Sequence, residues 1–351
     1  MFAERKGGIG VLVDVGLGRD TNLESARTAA PAFEAVGYNA MWTAETDHDP
    51  FLPLAVAADR TDRLELGTSI AVAFARNPMT VANLGWDLQE FSRGRFVLGL
   101  GTQVQPHITR RYSMAWSKPA ARMREFVCAI RAIWDCWLSG ERLAFDGEFY
   151  NHTLMTPFFT PDASVISEVG TPKVFLAGVG PKMTEVAGEV CDGFICHGFT
   201  TERYLREVSL PALERGRARA GKTLEGFEIV GPPFVVTGVD EVEVEAAAVK
   251  ARAQLAFYGS TPTYRPVLDL HGWADLGIEL HRRTKAGEWS TLGGIIDDEV
   301  LSAFAVMGPL STIASQLQAR YGDVVTRVRF ATPNSVAPDL WAEISEELRA
   351  Q

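Results

Sequence analysis

The sequence predicts a (β/α)8 TIM barrel. Three observations carry that expectation: eight apolar, β-rich runs separated by helical stretches, strand runs that are apolar along nearly their whole length, and 351 residues of chain. Runs without an alternating polar face suit parallel strands buried on both sides, as in a sheet wrapped by helices. Eight such strands alternating with helices over this length favour closure into a barrel over an open sheet. With 46% hydrophobic and 22% charged residues the chain can bury a large core, and it is read as one domain over 1–351.

The elements follow in order. Ile9 to Val15 is the first strand, with Asp14 near its C-terminal end. Asn22 to Val36 carries Leu23, Ala26, Ala30 and Phe33 at helical spacing, and Gly37 falls where a C-cap belongs. Asn39 to Ala44 is the second strand, ending at Glu45-Thr46-Asp47-His48, and Phe51 to Asp59 is helical. Leu64 to Val72 is the third strand. Asn77-Pro78 opens the next helix, and Ser92-Arg93-Gly94 turns the chain into the fourth strand, Phe96 to Leu100. Gly101-Thr102-Gln103 then leads into a long polar loop with Arg110, Arg111, Trp116 and Pro119, whose length suits a lid or a binding element.

Met123 to Leu138 is an amphipathic helix, Leu143 to Asn151 reads as a β-hairpin around Asp146-Gly147, and Pro157 to Pro172 is an irregular excursion. Lys173 to Ala177 is the fifth strand, which Gly178-Val179-Gly180-Pro181 turns into a helix ending near Glu189. Gly193 to Cys196 is the sixth, followed by a helix over Thr201 to Ala220. Phe227 to Val236 is the seventh, where Pro232-Pro233 must mark an edge, a bulge or the strand mouth. Glu241 to Phe257 is a charged helix. Tyr258 to Ile296, with Pro262, Pro266, Trp273 and Trp289, offers one short helix near Trp273 to Lys285 and is the best candidate for a substrate-side insertion. Pro309 to Tyr321 is a helix, Arg327 to Ala331 the last strand and Pro338 to Arg349 a terminal helix. Segments 102–118, 143–172 and 258–296 are therefore expected as insertions or lids, after strands four and seven.

Composition excludes several classes of partner. A formal net charge of -10 argues against a nucleic-acid backbone, whose binding draws on clustered cations. The cysteines, Cys128, Cys136, Cys191 and Cys196, form no CxxC and are read as reduced thiols of a cytoplasmic protein. No apolar run reaches membrane-spanning length, and MFAERKGGIG lacks the apolar core of a secretory signal. No HExxH-like cluster or thiol pair at ligand spacing appears, so no metal is expected. The expected partner is a small-molecule substrate, with a homodimer left open.

A barrel places function at the C-terminal strand ends. That rule selects Asp14, Glu45 to His48, Ser69 to Phe74, Gly101 to Gln103, Gly178 to Lys182, Cys196 to Gly198 and Thr332. In GVGPK, small residues let backbone amides approach an anion, and the following helix N-terminus adds about half a positive charge. The same turn serves equally as a plain strand-to-helix connection. His48 suits proton relay or a helix cap, and Glu45 suits orienting a neighbour or mere solvation. His107, Arg110 and Arg111 offer cations to an anionic tail or form a solvated loop face. Phe74, Trp116, Phe158, Tyr258, Trp273 and Trp289 line a pocket for a flat substrate or fill the core.

The stretches ETDHDPF, LGTSIAVAFARNP, SRGRFVLGLGTQ, GVGPKMTEVAGEVCDGFI and MGPLSTIASQLQARYGDVVTRVRF occur in the order seen in the bacterial luciferase-like superfamily. More narrowly, the sequence resembles the branch that uses the deazaflavin coenzyme F420. The resemblance implies that Asp47-His48 faces the ring as the catalytic pair and that a cis Ser69-Ile70 peptide supports the ring face. It further implies that Gly178, Val179, Gly180, Pro181 and Lys182 meet the cofactor tail, with Cys196, His197 and Gly198 nearby. Asp14, Thr46, Gly101, Thr102 and Gln103 complete the expected cofactor-binding set.

The implied activity is hydride transfer between F420 and an unidentified small organic substrate. An FMN-dependent monooxygenase using reduced flavin and O2, and a non-catalytic ligand-binding barrel, are the alternatives. Gly101-Thr102-Gln103-Val104-Gln105 departs from some sugar-phosphate-oxidising relatives, which carry a glutamate proton donor there. That argues against sugar-phosphate oxidation and leaves His48 or a residue of 258–296 as proton partner.

Overall fold

Runs dominated by Val, Ile, Leu, Phe and Gly pair in parallel throughout the barrel of this computed structural model, which describes residues 11–18, 22–231, 234–330 and 338–350. The barrel strands are β1 (Leu12–Gly16), β2 (Ala40–Thr43), β3 (Glu65–Thr68), β4 (Phe96–Gly101), β5 (Lys173–Gly178), β6 (Gly193–Cys196), β7 (Glu228–Gly231) and β8 (Arg327–Phe330). Each is hydrogen-bonded to its predecessor and successor, and β8 returns to β1 with Leu12 opposite Arg327 and Val15 opposite Phe330. Closure leaves none of the eight with an unpaired edge. The expected eight-stranded barrel is the fold. Ile9 of the first strand, and Ala331 and Thr332 at the end of the last, lie outside the described residues.

Side chains alternate between two environments, which explains why the strands read as continuous apolar runs. Val13, Met41, Leu66, Leu98, Val174, Phe194 and Val328 point outward and pack with the helices in the main core. Ala40, Trp42, Val97, Phe175, Ile195 and Val230 point inward and form a smaller interior cluster. The Trp42 and Phe175 rings, 6.0 Å apart, fill the barrel because glycines face them. A β-carbon at Gly67 would lie 2.3 Å from the Trp42 ring, and one at Gly193 would lie 2.6 Å from Phe175.

Towards the N-terminal ends the interior is charged. Arg327, fully buried at the start of β8, donates from Nε to Asp14 Oδ2 (2.8 Å) and from Nη1 to Glu228 Oε2 (2.8 Å). Its Nη2 lies 2.6 Å from Glu65 Oε2. Burial works against the guanidinium charge, but Asp14, Glu65 and Glu228 together hold it protonated, well above its ordinary range. Burial likewise raises the Asp14 carboxyl against the pull of Arg327. Trp42 Nε1 (2.9 Å) and Arg327 donate to the Asp14 carboxylate and engage both its oxygens. Asp14, expected at the cofactor, is therefore a correction: its side chain points into the closed barrel and is consumed in holding it.

Helix boundaries follow their caps. Asn22 accepts from Ser25 N at the start of Leu23–Val36, and Gly37 ends that helix in the left-handed region at φ 91°. The segment 157–172 holds more order than expected, a 3-10 turn at Pro157–Phe159 and a helix at Ser164–Val169 anchored by buried Ile166. The seventh run splits: β7 ends at Gly231, and Phe234–Val236 pairs instead with Ala305–Met307 outside the barrel. Pro232 and Pro233 between them lie outside the described residues. Segment 258–296 contains the expected helix, Ala274–Lys285, and also Arg265–Leu270 and the turns Pro262–Tyr264 and Trp289–Ile295. With the helix Asp298–Phe304 it builds a second core around Phe199, Phe234, Leu255, Leu268, Leu280 and Phe304. Among the described residues, no helix is long and apolar enough to cross a membrane.

Candidate active site

Beyond β2 the chain turns through Glu45, and this carboxylate gathers three elements. Its Oε2 accepts from Val72 N (2.7 Å) and Arg76 Nη1 (2.5 Å), and its Oε1 accepts from the Tyr112 hydroxyl (3.0 Å). Glu45 is thus a clamp joining the end of β2, the bulge after β3 and the loop 102–118, rather than a solvated group. Burial, then Glu45, holds the Tyr112 hydroxyl above its usual range. Arg111 donates to the Thr46 carbonyl from the same loop. Ser69 N donates to Thr43 O (2.6 Å), and the Ser69–Ile70 peptide is cis, as the resemblance implied.

Thr46, Asp47 and His48 line a recess of about 50 Å³ with Leu17, Gly18, Thr43 and Asp49. The recess is open to one side and forms a margin of the mouth. The Thr46 hydroxyl donates to Asp47 Oδ1 (2.6 Å), while Asp47 and His48 are exposed. Ser69, Ile70 and Gly180 do not line this recess. They share the C-terminal end of the barrel with Asp47 and His48, not one small cavity.

Across the mouth, β5 ends at Gly178, and Gly180 caps the ten-residue helix Pro181–Val190 without a side-chain hydrogen bond. A β-carbon at Gly180 would meet nothing within 4 Å. The Tyr204 hydroxyl donates to Val179 O (3.2 Å) and fixes the turn, and Pro181 and Lys182 are exposed. An open cradle at a helix N-terminus with a lysine beside it fits the anionic tail of a nucleotide-like cofactor.

The end of β4 is structural. Gly101 is buried, with a β-carbon there only 2.8 Å from the Ile70 side chain, so Ile70 lies across it. Gln103, at φ 60°, turns its Oε1 back to accept from Val104 N (2.9 Å), and the Thr102 hydroxyl donates to Gln103 O (2.8 Å). Both side chains stabilise their own turn. Cys196 also departs from expectation, because its thiol points outward into the main core, where burial pushes it up to about 12.

His197, the next residue, faces the mouth. Its Nδ1 accepts from Phe199 N (3.0 Å), and its ring packs against Tyr258 (4.8 Å) and Tyr264 (4.5 Å). Burial, then the charge of Arg329, pushes its pKa down to about 4. Gly198 leaves room for Tyr258, 3.7 Å from where its β-carbon would be. Of the aromatics singled out in the sequence, Tyr258 is the one placed here. Phe74 is core beside Trp116 (5.6 Å), Trp273 stacks on His271 (4.4 Å), and Phe158 and Trp289 are exposed.

Sequence reasoning missed Arg329, a part-buried residue of β8 whose Nη1 donates to Ser69 Oγ. The signal was in RVRF: arginines two apart share one face of a strand.

Comparison with known proteins completes the picture. The luciferase-like monooxygenase family profile matches residues 9–327. An uncharacterized protein of Mycobacterium tuberculosis is 57% identical over 306 residues, 87% of this chain and 89% of that protein. The 5,10-methylenetetrahydromethanopterin reductase of Archaeoglobus fulgidus is 26% identical over 317 residues, 87% of this chain and 88% of the reductase. Among solved structures, the coenzyme F420-dependent tetrahydromethanopterin reductase of Methanopyrus kandleri superposes with a TM-score of 0.78 at 19% identity, covering 96% of this chain and 98% of that one. The FMN complex of the oxygenating constituent of 3,6-diketocamphane monooxygenase, from Pseudomonas putida, gives 0.69 at 15% identity, covering 97% and 99%.

Proposed function

The chain belongs to the luciferase-like monooxygenase family, and from that premise we propose that it is an oxidoreductase transferring a hydride between coenzyme F420 and a small organic substrate. The observation that carries the reading is the cradle at Gly180, open to space on the same barrel end as Asp47, His48 and the Ser69–Ile70 bulge. Support also comes from the F420 dependence of the Methanopyrus kandleri reductase and from the sequence likeness to the Archaeoglobus fulgidus reductase.

When bound, F420 supplies a ring carbon that gives or accepts a hydride. The chain's own residues have separate tasks. The turn Gly178 to Lys182, with N–H donors at every position but Pro181, would receive the tail, and Ser69 and Ile70 form a wall that Gly101 lets close in. Glu45 locks that wall to the loop 102–118 through Tyr112. Asp47 and His48 present polar groups at the margin, with His48 available to hold or pass a proton. The stretch Gly101-Thr102-Gln103-Val104-Gln105 carries no carboxylate that could serve a sugar phosphate, and the Gln103 side chain is turned into its own loop.

Anaerobic titration of the protein with F420 and with FMN tests the reading. Micromolar or tighter F420 binding, FMN binding at least tenfold weaker, and return of oxidised F420 absorbance with an organic acceptor are expected. Tighter FMN binding with oxygen uptake on reduction would replace the reading with a flavin monooxygenase, and binding of neither would leave a ligand-binding barrel.

A further inference from the structure

We infer that Arg329 and His197 form the floor of an oxyanion subsite in the barrel mouth, which takes the carboxylate of an aromatic or conjugated acid substrate while its flat body lies against Tyr258 and Tyr264. The inference deepens the proposed function by naming a substrate class, and it rests on the barrel mouth being the active site.

The interior of β8 carries two arginines on one face, and their circumstances differ. Arg327 is surrounded by Asp14, Glu65 and Glu228. Arg329 stands one pleat closer to the mouth, and among the described residues its hydrogen bond goes to the Ser69 hydroxyl. Asp14 is opposite Arg329 in the strand register, but both its oxygens are engaged by Arg327 and Trp42. A guanidinium offers five N–H donors in a planar fork and stays charged. One with a neutral partner, enclosed deeply enough for burial to lower its pKa, is completed by an incoming anion. The fork selects a planar, bidentate oxyanion over a point charge.

His197 adds a second donor. Because Nδ1 accepts from Phe199 N, the hydrogen of the neutral imidazole sits on Nε2. The aromatic wall comes from the insertion: Tyr258 and Tyr264 pack on His197, and Gln254 Nε2 donates to the Tyr258 hydroxyl (2.9 Å), fixing that ring. Cation, neutral donor and two rings together describe a conjugated acid better than a sugar phosphate or an aliphatic alcohol. A second source of the same planar oxyanion is the pyrimidine edge of the cofactor ring.

Isothermal titration of the full-length protein with benzoate and with its neutral isostere benzamide, without cofactor, tests the subsite. Benzoate is expected to bind at least tenfold more tightly, Arg329→Met to remove that preference, and Tyr258→Ala to weaken both probes without changing their ratio. Equal affinities in the wild type, or an unchanged ratio in Arg329→Met, overturn the proposal, and the wild-type ratio decides the case should the variant not fold. Repeating the titration with F420 bound separates the two sources. Retained benzoate binding supports a substrate subsite, whereas mutual exclusion with F420, joined by a more negative F420 reduction potential in Arg329→Met, overturns the substrate assignment in favour of the ring. Benzoate discrimination in a protein that binds no F420 would sink the proposed cofactor and leave the subsite standing.

Discussion

His197 keeps its imidazole neutral far below the pH at which a solvated histidine takes up a proton, because burial and then Arg329 push it down to about 4. In the unfolded chain it titrates near 6.5, so between these values unfolding binds a proton that folding excludes. Stability is therefore full above about pH 6.5 and falls as pH drops towards 4. Through this residue alone the native state should lose about 2 kcal/mol between pH 7 and pH 5. His152 and His271, also lowered by burial, act in the same direction. Urea unfolding at both pH values should show a smaller loss in His197→Gln, and an undiminished loss would refute the assignment.

Glu45→Gln probes the clamp. It strips the charge that faces Arg76 and Tyr112, and should cost about 2 kcal/mol while speeding tryptic cleavage at Arg110 and Arg111 in the loop it holds. Cleavage at the wild-type rate would show that the loop does not depend on it. Glu45 was visible as a strand-end carboxylate, but its partners lie 27 to 67 residues away, beyond the reach of local pattern. Asp14 was misplaced for a related reason. An apolar run announces a strand without saying which of its faces the barrel encloses.

Elements with chemical punctuation were the legible ones. Asn22 and Gly37 and Asn77-Pro78 mark helix limits through caps that act within a turn. Segment 258–296 resisted because Pro262, Pro266 and repeated glycines break its periodicity into pieces shorter than a hydrophobic repeat, and a second core assembled from distant residues orders them. At the turn after β5, Gly180 has φ -73° and ψ 148°, a conformation open to any residue. Gly180→Val should fold normally, with circular dichroism and melting unchanged, yet weaken cofactor binding by blocking amide approach. Lys182→Ala should lose on the order of 1 to 2 kcal/mol, about tenfold in Kd. The tail-free ring fragment is the control: if Gly180→Val weakens it and the full cofactor equally, or neither, the cradle reading fails.

For the molecule as a whole, eight apolar runs alternating with helices made the barrel readable, since strands buried on both faces call for a helix-wrapped parallel sheet and their number and the chain length favour its closure. What holds its interior was not readable. Arg327 looked like the start of a strand, and its three carboxylates come from β1, β3 and β7. Arg327→Met leaves those carboxylates without their cation and should destabilise by about 3 to 5 kcal/mol, seen as a lowered urea midpoint. An unchanged midpoint would show the network to be dispensable.

The same ion pair has a consequence for biosynthesis. Asp14 and Arg327 are 313 residues apart, so the seam they close cannot form until almost the entire chain has left the ribosome. At typical translation speeds β1 waits roughly 15 to 60 s for β8, its hydrogen-bonding edge unsatisfied throughout. A nascent chain that must shelter a sticky strand for that long depends on chaperones during synthesis. The yield of soluble protein should accordingly rise when trigger-factor-type holdases are supplied during synthesis, even though the finished barrel offers no strand edge for them to protect.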